Sequence, residues 1–425
     1  MTAAASPNPG GLVSRVPGYR WMLLVGLMFG STSIIWYAFA IGLLIPEMRD
    51  DIALSPTREG WLSASFFLAS FLFTIPLTNL LSRLRPVPLM SGVFVATTLL
   101  FLLAAYVPTY PAQFAARFVI ALLFIAINPV RTLLTHHWFR PHEYATANGV
   151  VNSVYGVISP VAFWTTAPLL ELFQWQGVML MLGGLSAITT LLWIVFARDR
   201  SAAPETPHAT AEAVPVSPLR VLFRRDVQLI SLVSVGGEVA WATFITFWPT
   251  LAQDELHFDT DEIAFVLGLT ALLVTPASLL APWLVARTGR VRLLLMIGPL
   301  IQVPIFVLLA ATGNGVALIL VALAQGFAWF YAPILNTVPF LLRDVSAREI
   351  AVILALMQVV RAGAQTLGPA AAGMLAEIWP LQTVLILAGL TPLLSTVAAA
   401  LIHEPPRSFT GRPAVAGVRP APSPS

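Results

Sequence analysis

What most constrains this chain is a succession of apolar segments. Each is long enough, at about 1.5 Å per residue, to cross the roughly 30 Å hydrocarbon core of a bilayer as a helix. They run at roughly 21–46, 60–82, 88–106, 111–136, 145–172, 176–197, 227–251, 261–286, 292–312, 314–341, 349–378 and 381–402. The expected fold class is therefore an all-α membrane protein with twelve transmembrane helices. A mean hydropathy of +0.83, with 57% of residues hydrophobic and 10% charged, lies well outside the range of a soluble globular domain. None of the 425 residues is cysteine, which excludes disulfides, thiolate metal sites and cysteine nucleophiles.

The run from Arg198 to Asp226 is the only long polar connector, carries Pro204, Pro207, Pro215 and Pro218, and divides the spans six and six. The expected organisation is a cytoplasmic tail 1–20, a six-helix bundle 21–197, a cytoplasmic linker 198–226, a second six-helix bundle 227–402 and a cytoplasmic tail 403–425. Orientation follows from the arginines, eighteen of which fall in segments assigned inside, against Arg49 and Arg58 outside. Both termini are thus expected in the cytoplasm of a cell whose inner membrane holds the protein. The residues before Trp21 lack the compact apolar core and cleavage site of a signal peptide. The formal charge of +3 sorts into loops on one side of a membrane, so no nucleic-acid partner is expected. All 23 basic residues are arginine, which stays protonated, so a proton carrier has to be Asp, Glu or His.

The two halves look like copies. Pro46 matches Pro249, Arg83 matches Arg287, and Glu143-Tyr144-Ala145 matches Glu349-Ile350-Ala351 at nearly one offset. A tandem repeat of this kind suggests two bundles rocking about a site at their interface. The segment Pro282-Trp283-Leu284-Val285-Ala286-Arg287-Thr288-Gly289-Arg290-Val291-Arg292 is similar to the basic loop between the second and third helices of each half in the major facilitator superfamily. Ala286 stands where that family usually has aspartate and Pro282 where it has glycine, and the first copy, Thr78 to Pro86, keeps mainly Arg83. Arg117-Phe118-Val119 resembles the family's fourth-helix arginine motif, with Ala121 in place of its glycine. Gly363 to Gly373, containing Gly368-Pro369, is a closer match to the antiporter Gly-Pro motif than Gly149 to Pro160. The resemblance covers Tyr19 to His403 and implies a secondary transporter, with Arg117, Arg83, Arg287, Gly289 and Arg290 in structural or gating roles.

Charge inside the spans is what points to chemistry. Arg361 falls near the middle of its span, where an arginine costs roughly 2.5–3.5 kcal/mol on the lower scales and usually faces a water-filled cavity or a partner charge. Gln358 and Gln365 share its helical face; the competing reading is a structural arginine bonded to backbone carbonyls. Glu238 is expected as the only acid deep in any span, within about one turn of the depth of Arg361. A buried carboxylate is either paired or neutral, and those are the two states a proton-coupled carrier alternates between. A permanent structural ion pair is the alternative.

Arg117, Asn128 and Arg131 recur at close to whole turns, predicting one wet face on the fourth span. Asn148, Asn152, Tyr155 and Ser159 align on the fifth, and Gln325, Trp329 and Asn336 on the tenth, with Trp241 near Glu238 and Tyr37 on the first. Such residues also glue helices together. His136, His137 and His142 cluster in one inside loop, where adjacent histidines point apart, so no metal site is expected there. No phosphate-cradling loop precedes a helix, so an ATP-driven pump is unsupported.

Three intramembrane arginines against one glutamate favour an anionic solute. The expected function is a monomeric, proton-coupled secondary transporter, neither enzyme nor cofactor-dependent, whose partners are the bilayer, a small molecule and a proton or other coupling ion. Binding falls to Arg361, Gln358, Gln365, Asn128, Arg131, Tyr155, Asn152, Gln325, Trp241 and Tyr37, and proton coupling to Glu238. The alternatives are an exporter of lipophilic cations by proton antiport and, in another class, a non-transporting receptor or membrane-embedded enzyme.

Overall fold

The computed structural model describes residues 18–199, 221, 223–342 and 345–403, so both expected tails and most of the expected linker lie outside it. Its regular structure is helical throughout the described residues. Among these, eleven helices are long and apolar enough to cross a membrane. In chain order they are α1 (Tyr19–Asp51), α2 (Pro56–Leu81), α3 (Pro86–Tyr106), α4 (Tyr110–Trp138), a double-length stretch, α7 (Arg225–Asp254), α8 (Thr260–Thr288), α9 (Val291–Ala311), α10 (Gly315–Leu341), α11 (Ala347–Ala376) and α12 (Leu381–Leu401).

The double-length stretch, Tyr144–Phe196, has 53 residues, or about 80 Å of helix if straight, far more than one crossing needs. It is broken at Gln174 (φ 56°, ψ 176°), a backbone strained for a residue with a Cβ, into α5 (144–173) and α6 (175–196). The break falls where the sequence leaves a gap between apolar segments. It is pinned from outside: Trp175 Nε1 and Gln176 Nε2 both donate to Asp51 Oδ2 at the end of α1, at 2.7 and 2.9 Å.

Other interruptions have local causes. Pro129 lacks an N–H and its ring crowds the carbonyl of Ile125, and α4 steps there from Tyr110–Ile125 to Ile127–Trp138. Pro392 acts likewise in α12, which steps at Thr391. Helix starts follow composition: proline opens α2 and α3, and capping boxes open α8 (Asp259, Glu262) and α11 (Ser346, Glu349). Gly289, at φ 60°, closes α8.

Helices α1–α6 and α7–α12 meet where α2 runs along α11, α5 along α8 and α1 against α7. At one end the contact is backbone on backbone. A Cβ on Gly42 would collide with the carbonyl of Ile245, one on Gly60 with that of Pro369, and one on Gly373 with that of Pro56. Arg49 adds a bridge, from Nε to Glu59 Oε1 at 2.9 Å and from Nη1 to Asp254 Oδ2 at 2.8 Å. Ser63 and Thr246 share a hydrogen bond of 2.7 Å, and Thr57 N donates to Glu377 Oε1 at 3.2 Å. Toward the other end, Asn128, Asn336 and Gln358 are exposed. Because α2 begins four residues before the apolar pattern, at Pro56, its first turn buries Glu59. Glu238 is therefore not the only carboxylate buried in a spanning helix.

Candidate functional site

The site is built on α11. The spacing of Gln358, Arg361 and Gln365 puts all three on one side of that helix, as it does in any α-helix. Gly368, two turns beyond Arg361, lets the helix approach α7: a Cβ there would come within 2.6 Å of the Val239 carbonyl oxygen. That approach places Arg361 Nε 3.9 Å from Glu238 Oε1. Arg361 Nη2 donates to Asn336 Oδ1 on α10 at 2.9 Å, and Nη1 donates to Gln358 Oε1 at 3.3 Å. Gln365 Nε2 donates to Glu238 Oε2 at 2.9 Å.

The resulting cluster joins three helices, with the Arg361 and Glu238 side chains 16% and 12% exposed, enough for both to be reached by solvent. A guanidinium has five N–H donors and Arg361 commits two of them to neutral amide oxygens. Its one carboxylate neighbour stands too far away for a hydrogen bond, so the pair is electrostatic only. This arrangement leaves a fork of donors able to receive an anion without first displacing a tight ion pair.

The remaining sequence candidates divide. Tyr37 is 1% exposed, and its ring lies 4.8 Å from the Arg117 guanidinium and edge-on to Phe101, inside the core of the first six helices. Arg117 is itself fully buried, donates to the Tyr37 carbonyl at 3.2 Å, and has a second ring, Phe66, at 5.4 Å. The single wet face expected on α4 is corrected. Below the step at Ala126 Asn128 is exposed and Arg131 half-buried, whereas above it Arg117 packs inward. Tyr155 packs with Phe124 and Val151 in a cluster of the first half. The side chain of Asn152 lies outside the described residues.

Gln325 is fully buried and lines a small cavity of about 10 Å³ with Trp241, Thr270 and Phe306. Trp241 meets Trp329 edge-on at 6.2 Å. Arg83, Arg287 and Arg290 are exposed, with the Arg287 guanidinium 5.2 Å from the Trp283 ring. A cavity of about 730 Å³ contains none of the charged candidates. It is an apolar groove between α1 and α5, lined by Phe29, Trp36, Val157 and Val161.

Sequence reasoning left out Asn336 as a partner of Arg361 and the bridge of Arg49 to Glu59 and Asp254. A signal for the bridge existed, since Asp51 and Asp254 each follow the repeat-related Pro46 and Pro249 by five residues. At the far end Arg20 grips Glu143 through two bonds of 2.7 Å. The backbone N–H of Arg140, and then Arg20, hold that carboxyl below the usual glutamate range.

The fold is shared with solved transporters. A crystal structure of a bacterial homologue of the human lysosomal transporter Spinster, inward-facing and unoccupied, superposes with a TM-score of 0.77 at 16% identity, covering 91% of this chain and 96% of that one. The nucleoside transporter NupG superposes with a TM-score of 0.74 at 16% identity, covering 89% and 98%. In sequence, an uncharacterized transporter of Schizosaccharomyces pombe is 28% identical over 99 residues, which is 23% of this chain and only 20% of that protein. The family model of the Major Facilitator Superfamily matches residues 22–362, and with the helical repeat and the charged cluster between its helices, the chain belongs to that family of membrane transporters.

Proposed function

We propose that the protein is a secondary active transporter of a small anionic solute, bound by Arg361 and coupled to proton movement through Glu238. The observation that carries this reading is the loose geometry of the pair, 3.9 Å apart with amide partners on both sides. An anion arriving at Arg361 takes over the role of counter-charge, and the carboxylate, losing its only cation, accepts a proton. When the proton leaves, Glu238 recaptures Arg361 and the anion is released. Gln358 and Asn336 orient the guanidinium throughout. The topology that accompanies this mechanism has twelve crossings in two bundles of six, with α5 and α6 as separate crossings and the termini cytoplasmic. The backbone seal then lies on the outer side, and the state described is inward-facing. The setting is the inner membrane and the working unit a monomer.

The test is a thermal-shift screen of detergent-purified protein against small carboxylates, inorganic anions and lipophilic cations, with Arg361→Ala alongside. Ligand at a hundredfold excess over Kd stabilises the native state by about 2.7 kcal/mol. An anion that stabilises the parent and not Arg361→Ala is the expected result; an equal response from both sinks the assignment. One observation favours a cationic solute instead, the Trp241–Trp329 pair one turn from Glu238. Under that reading Glu238→Gln abolishes binding of the stabilising cation, whereas under the anionic reading Glu238→Gln leaves anion binding largely intact.

A further inference from the structure

Behind Glu238 the second half of the protein buries a set of polar groups that its hydrogen bonding does not satisfy. Tyr331 on α10 is 1% exposed, and Gln302 on α9 and Gln325 on α10 are fully buried. The Tyr331 hydroxyl and both amide atoms of each glutamine have no hydrogen-bond partner within the protein. The placement is enforced by glycine. A Cβ on Gly298 would collide with the Tyr331 ring, and one on Gly237 would collide with its hydroxyl and come within 3.2 Å of Gln302 Oε1. The tyrosine thus reaches between two glycine-containing helices and ends against α7 at the residue preceding Glu238, about 100° around the helix from it.

Five buried polar atoms without partners are not left dry in a native interior, where ordered water completes such sites. A small cavity of about 10 Å³, the room that one water needs, lies beside Gln325, with Thr270 and otherwise apolar and aromatic side chains as its walls. Valine or leucine in place of either glutamine would fill the same space without needing a solvent molecule, so the residue types themselves argue for a wet chamber.

We propose that Gln302 and Tyr331, which both end against the bare Cα of Gly237, form an internal water site that carries protons to and from Glu238. The proposal rests on the coupling role given to Glu238 above. The charged and titratable groups facing Glu238 are Arg361 from α11 and Tyr331 from α10. Gln365 adds a neutral donor from α11, while α12 presents Ser395 and Thr391 and α9 presents Gln302 to the neighbouring glycines. The step is a single proton transfer. A water oxygen gives its proton to a Glu238 oxygen and regains one from the next water, while the Tyr331 hydroxyl turns between donating and accepting and stays neutral. The chamber lets Glu238 exchange protons while an anion on Arg361 blocks the direct route from the open end.

The experiment is infrared spectroscopy of the purified full chain, following the protonated-carboxyl band that Glu238→Gln removes and its isotope shift after transfer to D2O. Sodium chloride at high concentration serves as the anion that occupies Arg361. The expected result is at least tenfold slower exchange of that band in Tyr331→Phe, in Gln302→Leu and in Gly237→Ala, with parent-like rates in Gln302→Asn. Tyr331→Phe removes one oxygen from a packed ring and keeps the comparison open if Gln302→Leu does not fold. Unchanged exchange in Tyr331→Phe and Gly237→Ala overturns the water site while leaving the role of Glu238 standing. If the parent has no titrating band that Glu238→Gln removes, the coupling role fails and the water site fails with it.

Discussion

Two arginines in this protein solve the same problem in opposite ways. Arg117 meets its need for counter-charge with the π-faces of Tyr37 and Phe66 and a backbone carbonyl, in a site closed to solvent. Arg361 meets it with amides and a distant carboxylate in a site that solvent reaches. The first arrangement has no place for a ligand, and the second has little else. It follows that Tyr37→Phe, which keeps the ring over the Arg117 guanidinium and loses only the hydroxyl, is milder than removal of the ring. Tyr37→Ala, which removes a buried ring and a cation–π partner together, costs about 3–5 kcal/mol in thermal or denaturant unfolding. A Tyr37→Phe variant that folds normally but binds ligand tenfold more weakly would place Tyr37 in the binding site. The spacing of Arg117, Asn128 and Arg131 was legible in the sequence, but spacing reports only the common face of a helix. Which neighbour that face meets above and below the Pro129 step is decided by packing. Arg361 and Glu238 were legible because charge in an apolar span is rare enough to need a cause; their separation depended on Gly368, whose role as a spacer shows only when two helices are placed together.

At the scale of elements, the chain's apolar segments and its proline and capping residues account for nearly every helix boundary. The break between α5 and α6 falls in the three-residue gap that hydropathy leaves there. What hydropathy missed is α2, whose first turn is polar and starts before the apolar run, carrying Glu59 into the protein. The segment joining α4 to α5 supplies a pH-dependent contact. Glu143 is held below the usual carboxylate range in the folded protein by the Arg140 N–H and by Arg20, so its contribution to stability is complete above that usual range. It is lost as pH falls through the depressed folded value. Thermal unfolding of the parent and of Glu143→Gln should therefore differ at neutral pH and converge in acid; a difference that persists or grows in acid would contradict the role of the charged carboxylate.

For the whole molecule, the duplication visible in Pro46 and Pro249 reappears as two helix ends carrying acids at matching positions, but with unlike duties. Asp51 clamps the α5–α6 turn within its own half, whereas Asp254 reaches across to Arg49 of the other. The cross-half bridge is then the bond to remove. In a chain without native cysteine, spin labels at Asp50→Cys and Glu255→Cys report the separation of the two halves at this end directly. Arg49→Ala is expected to populate a second, longer distance, and a single unchanged distance would show that the bridge does not hold the seal. The stronger part of that seal is main chain against glycine at Gly42, Gly60 and Gly373, with no flexible side chain in between. Attraction between such surfaces falls off within a fraction of an atomic diameter, so it gives almost nothing to a half-parted state. Closure of this kind behaves as a snap fastener and not as a spring: the two halves are held or released, and a leak through a partly opened protein is suppressed by the steepness of the contact itself.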